Sequence, residues 1–66
     1  MYRFGQVLDR TEQFLDHMEH GIPVQVYYRK HHMDIGFIQG ISRHFIKIGG
    51  LYYSRKLYVF ISRPGY

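Results

Sequence analysis

The chain has 66 residues, no cysteine, seven Tyr, five Phe and a formal net charge of +4 at pH 7. This length leaves room for one hydrophobic core and for no second domain. Domains of this size are usually stabilised by disulfides, a metal ion or oligomerisation. The lack of cysteine excludes disulfides and thiolate-zinc sites, so we expect oligomerisation to stabilise this domain.

The charge is divided unevenly along the chain. Residues 1–20 carry two basic and four acidic side chains, whereas residues 21–66 carry seven basic side chains and one acidic side chain. A strongly basic segment favours a polyanionic partner, which means RNA, DNA or an anionic membrane surface. The alternative interpretation is a basic surface that only keeps the protein soluble.

The first predicted element is an N-terminal amphipathic helix over residues 4–20, which Gly21 and Pro23 end. Its polar face is net acidic, includes His17 and His20, and lacks the Lys and Arg of helices that lie on membranes. We therefore predict that its apolar stripe packs on a sheet and that the membrane is not a partner. The stripe repeats at spacings of three and four and contains Phe4, Val7, Leu8, Thr11, Phe14, Leu15 and Met18.

Residues 22–63 predict five short antiparallel strands that close into a small barrel. A polar turn is predicted at residues 30–32, and Gly36 in the second strand predicts a sharp bend that lets one strand serve two sheets. Gly49-Gly50 predicts a hairpin turn, and the last strand is predicted over residues 57–62. The expected fold class is therefore mostly β with one N-terminal α-helix, in a single domain over residues 1–66.

No catalytic or metal site is predicted. Asp34 is the sole carboxylate of the basic segment, so paired acid–base catalysis is unavailable there. Ser42 near His44 lacks the positioned acid of a catalytic triad, and the adjacent His31 and His32 do not complete the three or four ligands that a metal requires. We therefore predict a protein that is not an enzyme, with no metal, no cofactor and no small-molecule substrate.

Tyrosines near basic residues point to RNA. An exposed tyrosine can stack on a base while a neighbouring cation binds phosphate, and histidines can stack on or hydrogen-bond to bases. The alternative is that the tyrosines cover a sheet or a subunit interface. The predicted RNA-binding residues are Tyr27, Arg29, Lys30, His31, His32, Arg43, His44, Tyr53, Arg55, Lys56 and Arg63.

The order of a helix and five strands resembles the Sm-like fold, and most closely the bacterial Hfq proteins. The matching segments are Gln13-Phe14-Leu15, Ile22-Pro23-Val24-x-Val26-Tyr27, Gly36-x-Ile38 and Phe45-Ile46, which together span residues 13–48. Hfq proteins are ring-forming RNA-binding proteins. The resemblance implies that Tyr27 stacks adenines on one face of a ring and that Arg43 and His44 lie at the uridine contacts near the pore.

One family motif is missing, because Tyr53-Ser54-Arg55-Lys56 stands where Hfq proteins carry Tyr-Lys-His before the last strand. Neighbouring Hfq-type subunits pair their fourth and fifth strands edge to edge, so the resemblance implies that the last two strands here are exposed edges. The implied oligomer interface contains Leu51, Tyr52, Tyr53, Leu57, Tyr58, Val59 and Phe60.

The favoured hypothesis is a non-catalytic, Sm-like RNA-binding protein that acts as a homo-oligomeric ring in the cytoplasm. No apolar run approaches the roughly 20 residues that span a bilayer, and the charged N-terminal segment is unlike a signal peptide. The alternative is an SH3-like protein–protein interaction module or a self-assembling structural protein, whose tyrosine-rich edges recruit partner strands.

Overall fold

The computed structural model describes all 66 residues and contains one helix and seven strands. In chain order these are β1 (Val7–Leu8), α1 (Thr11–Glu19), β2 (Val24–Tyr28), β3 (His31–Gly36), β4 (Ile38–Ile41), β5 (Phe45–Ile48), β6 (Leu51–Ser54) and β7 (Val59–Ser62). Sheet A has the strand order β1-β7-β2-β3, and sheet B has the order β4-β5-β6. All neighbouring strands are antiparallel. The predicted mostly-β fold with one helix is therefore confirmed.

The helix begins later than the apolar periodicity predicts, and it is not the first element. Gly5 has a positive φ of 89° and its N–H donates to the Ser62 carbonyl, which leads the chain into β1 beside β7. The Gln13 side-chain oxygen accepts the N–H groups of Asp9 and Arg10 and so caps the start of α1. The prediction of a helix over residues 4–20 is wrong at its N-terminal end. At nine residues, α1 is too short to traverse a bilayer, and the chain has no other helix.

The predicted bend at Gly36 is where the chain passes from one sheet to the other. β3 ends at Gly36 in sheet A, and β4 begins at Ile38 in sheet B. A Cβ on Gly36 would lie 3.2 Å from Cγ2 of Ile48, so the close approach of the two sheets favours glycine at this corner. The predicted five-stranded closed barrel is not observed. β6 and β7 lie in different sheets, and β1 adds a strand that the sequence pattern did not predict.

The β2–β3 hairpin turns one residue earlier than predicted. Tyr28 pairs with His31, and the two turn residues, Arg29 and Lys30, have φ values of 48° and 69°. Positive φ at both central positions defines a type I′ turn, which matches the twist of a hairpin but favours Asn-Gly over residues with long side chains. His31 and His32 therefore belong to β3, and the predicted turn over residues 30–32 is wrong.

The turn residues predict a stabilising substitution. We expect Arg29→Asn to raise the free energy of unfolding by about 1 kcal/mol, because asparagine tolerates the left-handed conformation better than arginine does. Urea denaturation followed by circular dichroism measures this change. Arg29→Ala is the matched control, since both variants lose the contact between the Arg29 guanidinium and the Tyr28 ring, 5.6 Å apart. An alanine variant as stable as the asparagine variant would contradict the assignment.

Nine buried side chains form one hydrophobic cluster between the helix and the two sheets. Period-two alternation directs them inward from the strands, and Phe14 of α1 meets Phe60 of β7 edge to face at 5.3 Å between ring centres. The cluster contains Leu8, Phe14, Val24, Val26, Ile38, Ile46, Ile48, Tyr53 and Phe60. Leu15 and Met18 of the predicted helix stripe remain exposed.

His17 is fully buried, which corrects its predicted place on the polar face of the helix. Its Nδ1–H donates to the Gln13 carbonyl at 2.7 Å, and the buried Ser62 hydroxyl donates to Nε2 at 2.7 Å. This pairing requires the neutral imidazole. The ring of Tyr2 covers it at 4.3 Å between ring centres, and the Tyr2 hydroxyl donates to Asp16. Burial lowers the pKa of His17 below its usual value. The hydrogen bond to the Gln13 carbonyl and the negative charge of Asp16 raise this pKa, but their effect is smaller.

The lowered pKa of His17 predicts an acid-dependent loss of stability. The unfolded chain binds this proton more readily, so the stabilisation is fully present above about pH 6.5 and is lost as the pH falls towards the folded-state pKa. Urea denaturation at several pH values measures the slope. His17→Leu combined with Ser62→Ala should flatten it, and His20→Gln is the control for the removal of a histidine at an exposed position. An unchanged slope in the double variant would contradict this prediction.

Candidate nucleic-acid interface

Residues 21–66 carry seven basic side chains but only one acidic side chain, so most of these cations have no carboxylate with which to form an ion pair. The single ion pair of the protein joins Arg10 to Glu12 at 3.9 Å, at the start of the helix. Asp34, the only carboxylate after residue 20, is half-buried and accepts hydrogen bonds from the Tyr53 hydroxyl at 2.9 Å and from the Ile35 N–H at 2.8 Å. The basic segment therefore offers its positive charge to an external anion.

The outer face of sheet A carries the first group of predicted site residues. A shallow depression of about 320 Å³ is lined by Tyr27, Lys30, Val59, Ile61 and Arg63, and we call it the Tyr27 platform. Tyr27 pairs with Val59 across the β2–β7 ladder. Because Val24 and Val26 point into the core, period-two alternation directs Tyr27 outward. The neighbouring strands thus place an aromatic ring beside two cations.

A chain of hydrogen bonds crosses the same face beside Tyr27. The Arg63 Nε–H donates to Gln25 Oε1 at 2.6 Å, and Gln25 Nε2 donates to His32 Nδ1 at 3.0 Å. A β-bulge at Met33 puts His32 opposite Tyr27, with the two ring centres 6.0 Å apart. The guanidinium carbon of Arg63 also lies 4.8 Å from the centre of the Phe4 ring. These contacts fix the polar groups that surround the platform.

The second group of predicted residues lies where the start of α1 meets the connections between strands. A depression of about 490 Å³ there is lined by Thr11, Leu15, Ile41, Ser42, Arg43 and Arg55. It shares no residue with the Tyr27 platform, so the predicted cations form two groups rather than one continuous surface. Arg29, His31, His44 and Lys56 are exposed but line neither depression.

Tyr53 does not belong to an accessible surface. Its side chain is 6% exposed and lies in the core, with its ring 5.1 Å from that of Tyr58. Burial, with further contributions from the hydrogen bond to Asp34 and from the charge of Asp34, raises the pKa of Tyr53 to about 12. A ring held in this way cannot stack on a base, so the assignment of Tyr53 to RNA binding and to an interface is corrected.

The predicted oligomer interface is only partly available. β7 is flanked by β1 and β2, so the expectation that the last strand is a free edge is wrong. Phe60 on this strand is buried, and Tyr58 is half-buried between Tyr28 and Tyr53. The remaining predicted residues are exposed, and two of them lie on β6, an edge strand of sheet B: Leu51, Tyr52, Leu57 and Val59.

Sequence reasoning missed two sets of surface residues. Gln25 and Ile61 join the Tyr27 face by alternation along β2 and β7, a signal that the pattern around Tyr27 already contained. On the outer face of sheet B, Phe45 and Lys47 were missed beside Tyr52, which had been assigned to the interface. The Phe45 and Tyr52 ring centres are 6.5 Å apart, and the Lys47 Nζ lies 5.4 Å from the Tyr52 ring. Lys47 lies opposite Tyr52 because of the register of the β5–β6 hairpin, and this register was not predicted from the sequence.

No group of three or more His, Asp or Glu side chains is arranged to hold a metal ion. Comparison of the chain with protein-family models, with curated proteins and with solved structures finds no match.

Proposed function

We propose that the protein is a non-catalytic, cytoplasmic RNA-binding protein that binds single-stranded RNA on the Tyr27 platform. The observation that carries this proposal is the position of Tyr27 on an open sheet face, in one depression with Lys30 and Arg63 and with no carboxylate among the lining residues. The proposed activity is binding alone.

The chemistry of the platform suits an unpaired base. A base that stacks on Tyr27 contributes about 1–3 kcal/mol, and stacking requires a base that is free of its own duplex. Lys30 and Arg63 then bind the phosphates on either side of that base, with charge-assisted hydrogen bonds. The Gln25 amide and the His32 ring offer polar atoms beside the ring of Tyr27 for contacts to a base edge.

The relationship to Sm-like proteins and the assembly into a ring belong to the same proposal. The strand bent at Gly36, which joins two small antiparallel sheets, supports it. The exposed edge strand β6, with Leu51 and Tyr52 largely accessible, supports pairing with a second copy. Measuring the native mass by light scattering tests this assembly; a hexamer or heptamer supports a ring, and a monomer contradicts it.

A titration of fluorescent A-rich and U-rich oligoribonucleotides at two salt concentrations tests RNA binding. Each phosphate contact releases bound counterions, so the logarithm of the affinity should fall linearly with the logarithm of the salt concentration. With two platform cations, we expect a slope of about −1.4 for single strands. An absence of binding at low salt, or binding that does not depend on salt, would contradict the proposal.

The second candidate function is an SH3-like protein–protein interaction. The observation in its favour is the apolar floor of the platform, where Val59 and Ile61 lie between the two cations and Val7 is exposed nearby on the adjacent strand. The pair of substitutions Lys30→Gln and Arg63→Gln separates the two functions. Loss of RNA binding with an unchanged native mass supports the first, and unchanged RNA binding with an altered mass supports the second.

A further inference from the structure

The depression that contains Arg43 and Arg55 is a feature that the Tyr27 platform does not use. It lies between the start of α1, the end of β4 and the turn that follows β6, and its volume is about 490 Å³. A backbone hydrogen bond joins the connection after β4 to the turn after β6, because the Arg55 N–H donates to the His44 carbonyl at 2.8 Å. Two arginines from separate connections therefore face one space.

Arg55 is held in place before any ligand arrives. Its Nη1–H donates to the Ser42 carbonyl at 2.9 Å, and its Nη2–H donates to the Thr11 hydroxyl at 2.8 Å. The guanidinium carbon lies 5.0 Å from the centre of the Phe14 ring, which supports one face of the group. A guanidinium has five N–H donors, so these two hydrogen bonds orient Arg55 and leave other donors free. A side chain ordered during folding loses less entropy when it binds.

The lining of this depression contains no carboxylate. None of its six lining residues is acidic, and Arg43 makes no side-chain hydrogen bond or ion pair within the chain. The closest acidic residue in sequence to Thr11 is Glu12, whose carboxylate is directed to Arg10 at 3.9 Å. The two arginines consequently place positive charge in a depression that no carboxylate lines.

We infer that this depression is a phosphate-binding site, with Arg55 as the fixed donor and the exposed Arg43 as the second donor. The planar fork of a guanidinium matches two oxygens of a phosphate group. Two such forks suit the dianion of a terminal phosphate better than the single charge of a backbone phosphodiester. The inference goes beyond the proposed function, since a phosphate group suffices as ligand, whether it is free or at the end of a nucleic acid.

Isothermal titration of the whole chain with inorganic phosphate at low ionic strength tests the inference. We expect saturable binding, and we expect Arg43→Gln to raise the Kd about tenfold, the effect of losing one charge-assisted hydrogen bond. Arg43 is exposed and takes part in no ion pair, whereas Arg55 also joins Ser42 to Thr11 through hydrogen bonds. Lys56→Gln is the matched control, because it removes the same charge next to Arg55 but outside the depression.

The absence of saturable phosphate binding would overturn the inference, and so would equal weakening by Arg43→Gln and Lys56→Gln. A comparison of 5′-phosphorylated and 5′-hydroxyl oligoribonucleotides of one sequence identifies the source of the phosphate. A gain on phosphorylation that disappears in Arg43→Gln supports a terminal phosphate; phosphate binding without such a gain supports a free phosphate compound. Tyr27→Ala should leave the Kd for inorganic phosphate unchanged, so failure of this site and failure of the RNA platform remain distinguishable.

Discussion

Replacing Phe60 with alanine is expected to remove a large share of the free energy of unfolding at 25 °C. Phe60 is 1% exposed and packs against Phe14, the one aromatic side chain that α1 contributes to the core. Truncating a buried phenylalanine to alanine costs about 3–5 kcal/mol, because apolar contacts are lost and a cavity remains. At roughly 0.05–0.15 kcal/mol per residue, a chain of this length has a total stability of about 3–10 kcal/mol. The expected loss therefore ranges from about a third of the total stability to all of it.

Circular dichroism with urea denaturation measures this effect, and Phe37→Ala is its matched control. Phe37 lies at the corner between β3 and β4, and its side chain is 59% exposed. The same chemical change at this position should alter the free energy of unfolding by less than about 0.5 kcal/mol, as surface substitutions usually do. If the two alanine variants were equally stable, the core described above would be wrong.

The second large effect is expected on RNA affinity. Tyr27→Ala should weaken the binding of a single-stranded oligoribonucleotide about tenfold or more, since one stacked base contributes about 1–3 kcal/mol. The fold should survive, because Tyr27 is a half-buried residue on the outer face of sheet A and lies outside the core cluster. Fluorescence anisotropy at one low salt concentration measures the change in Kd.

Tyr52→Ala is the control for this experiment. Tyr52 is 66% exposed and lies on sheet B beside Lys47, so it has the same residue type and a similar cationic neighbour. Because Tyr52 also lies on the edge strand proposed for assembly, the native mass of the variant is checked by light scattering. At an unchanged mass we expect the substitution to leave the Kd within about twofold of the wild-type value, which corresponds to about 0.4 kcal/mol. A loss of affinity in Tyr52→Ala with none in Tyr27→Ala would place the stacking surface on sheet B and contradict the proposed site.

Local patterns in the sequence predicted the features that depend on neighbouring residues. Gly36 marked the bend between the two sheets. Gly49 and Gly50 form the predicted turn, with φ values of 59° and 79°. In each case the residue type has a direct conformational reason, because glycine accepts a positive φ or a close approach that other residues resist.

The errors arose where distant contacts override the local pattern. Val7 fits a helical stripe, but its pairing with Ile61 draws it into a strand. His17 fits a polar helix face, but Ser62, 45 residues further on, supplies the hydrogen bond that lets it be buried. The local sequence places Tyr53 on an exposed basic strand, but its hydroxyl donates a hydrogen bond to Asp34, and the side chain is buried. None of these partners is adjacent in sequence, so periodicity alone does not reveal them.

The candidate site was predicted only in part, for a similar reason. Tyr27, Lys30 and Arg63 were each predicted to bind RNA, and the fold brings them into one depression. Their grouping depends on the pairing of β2 with β7, across more than thirty residues of chain. Arg43 and Arg55 were assigned to the same activity, but the packing of α1 against sheet B gives them a separate space.

Amide chemical-shift mapping of the ¹⁵N-labelled protein with a single-stranded oligoribonucleotide tests the proposed RNA-binding site most directly. We predict that the largest shifts fall on the strands that form the platform, over Val24–Tyr28 and Val59–Ser62, with smaller shifts on Thr11–Glu19. Saturation of these shifts at low salt and their reversal at high salt would support a charged, stacking surface. Shifts confined to the helix or to sheet B, or no shifts at all, would contradict the account.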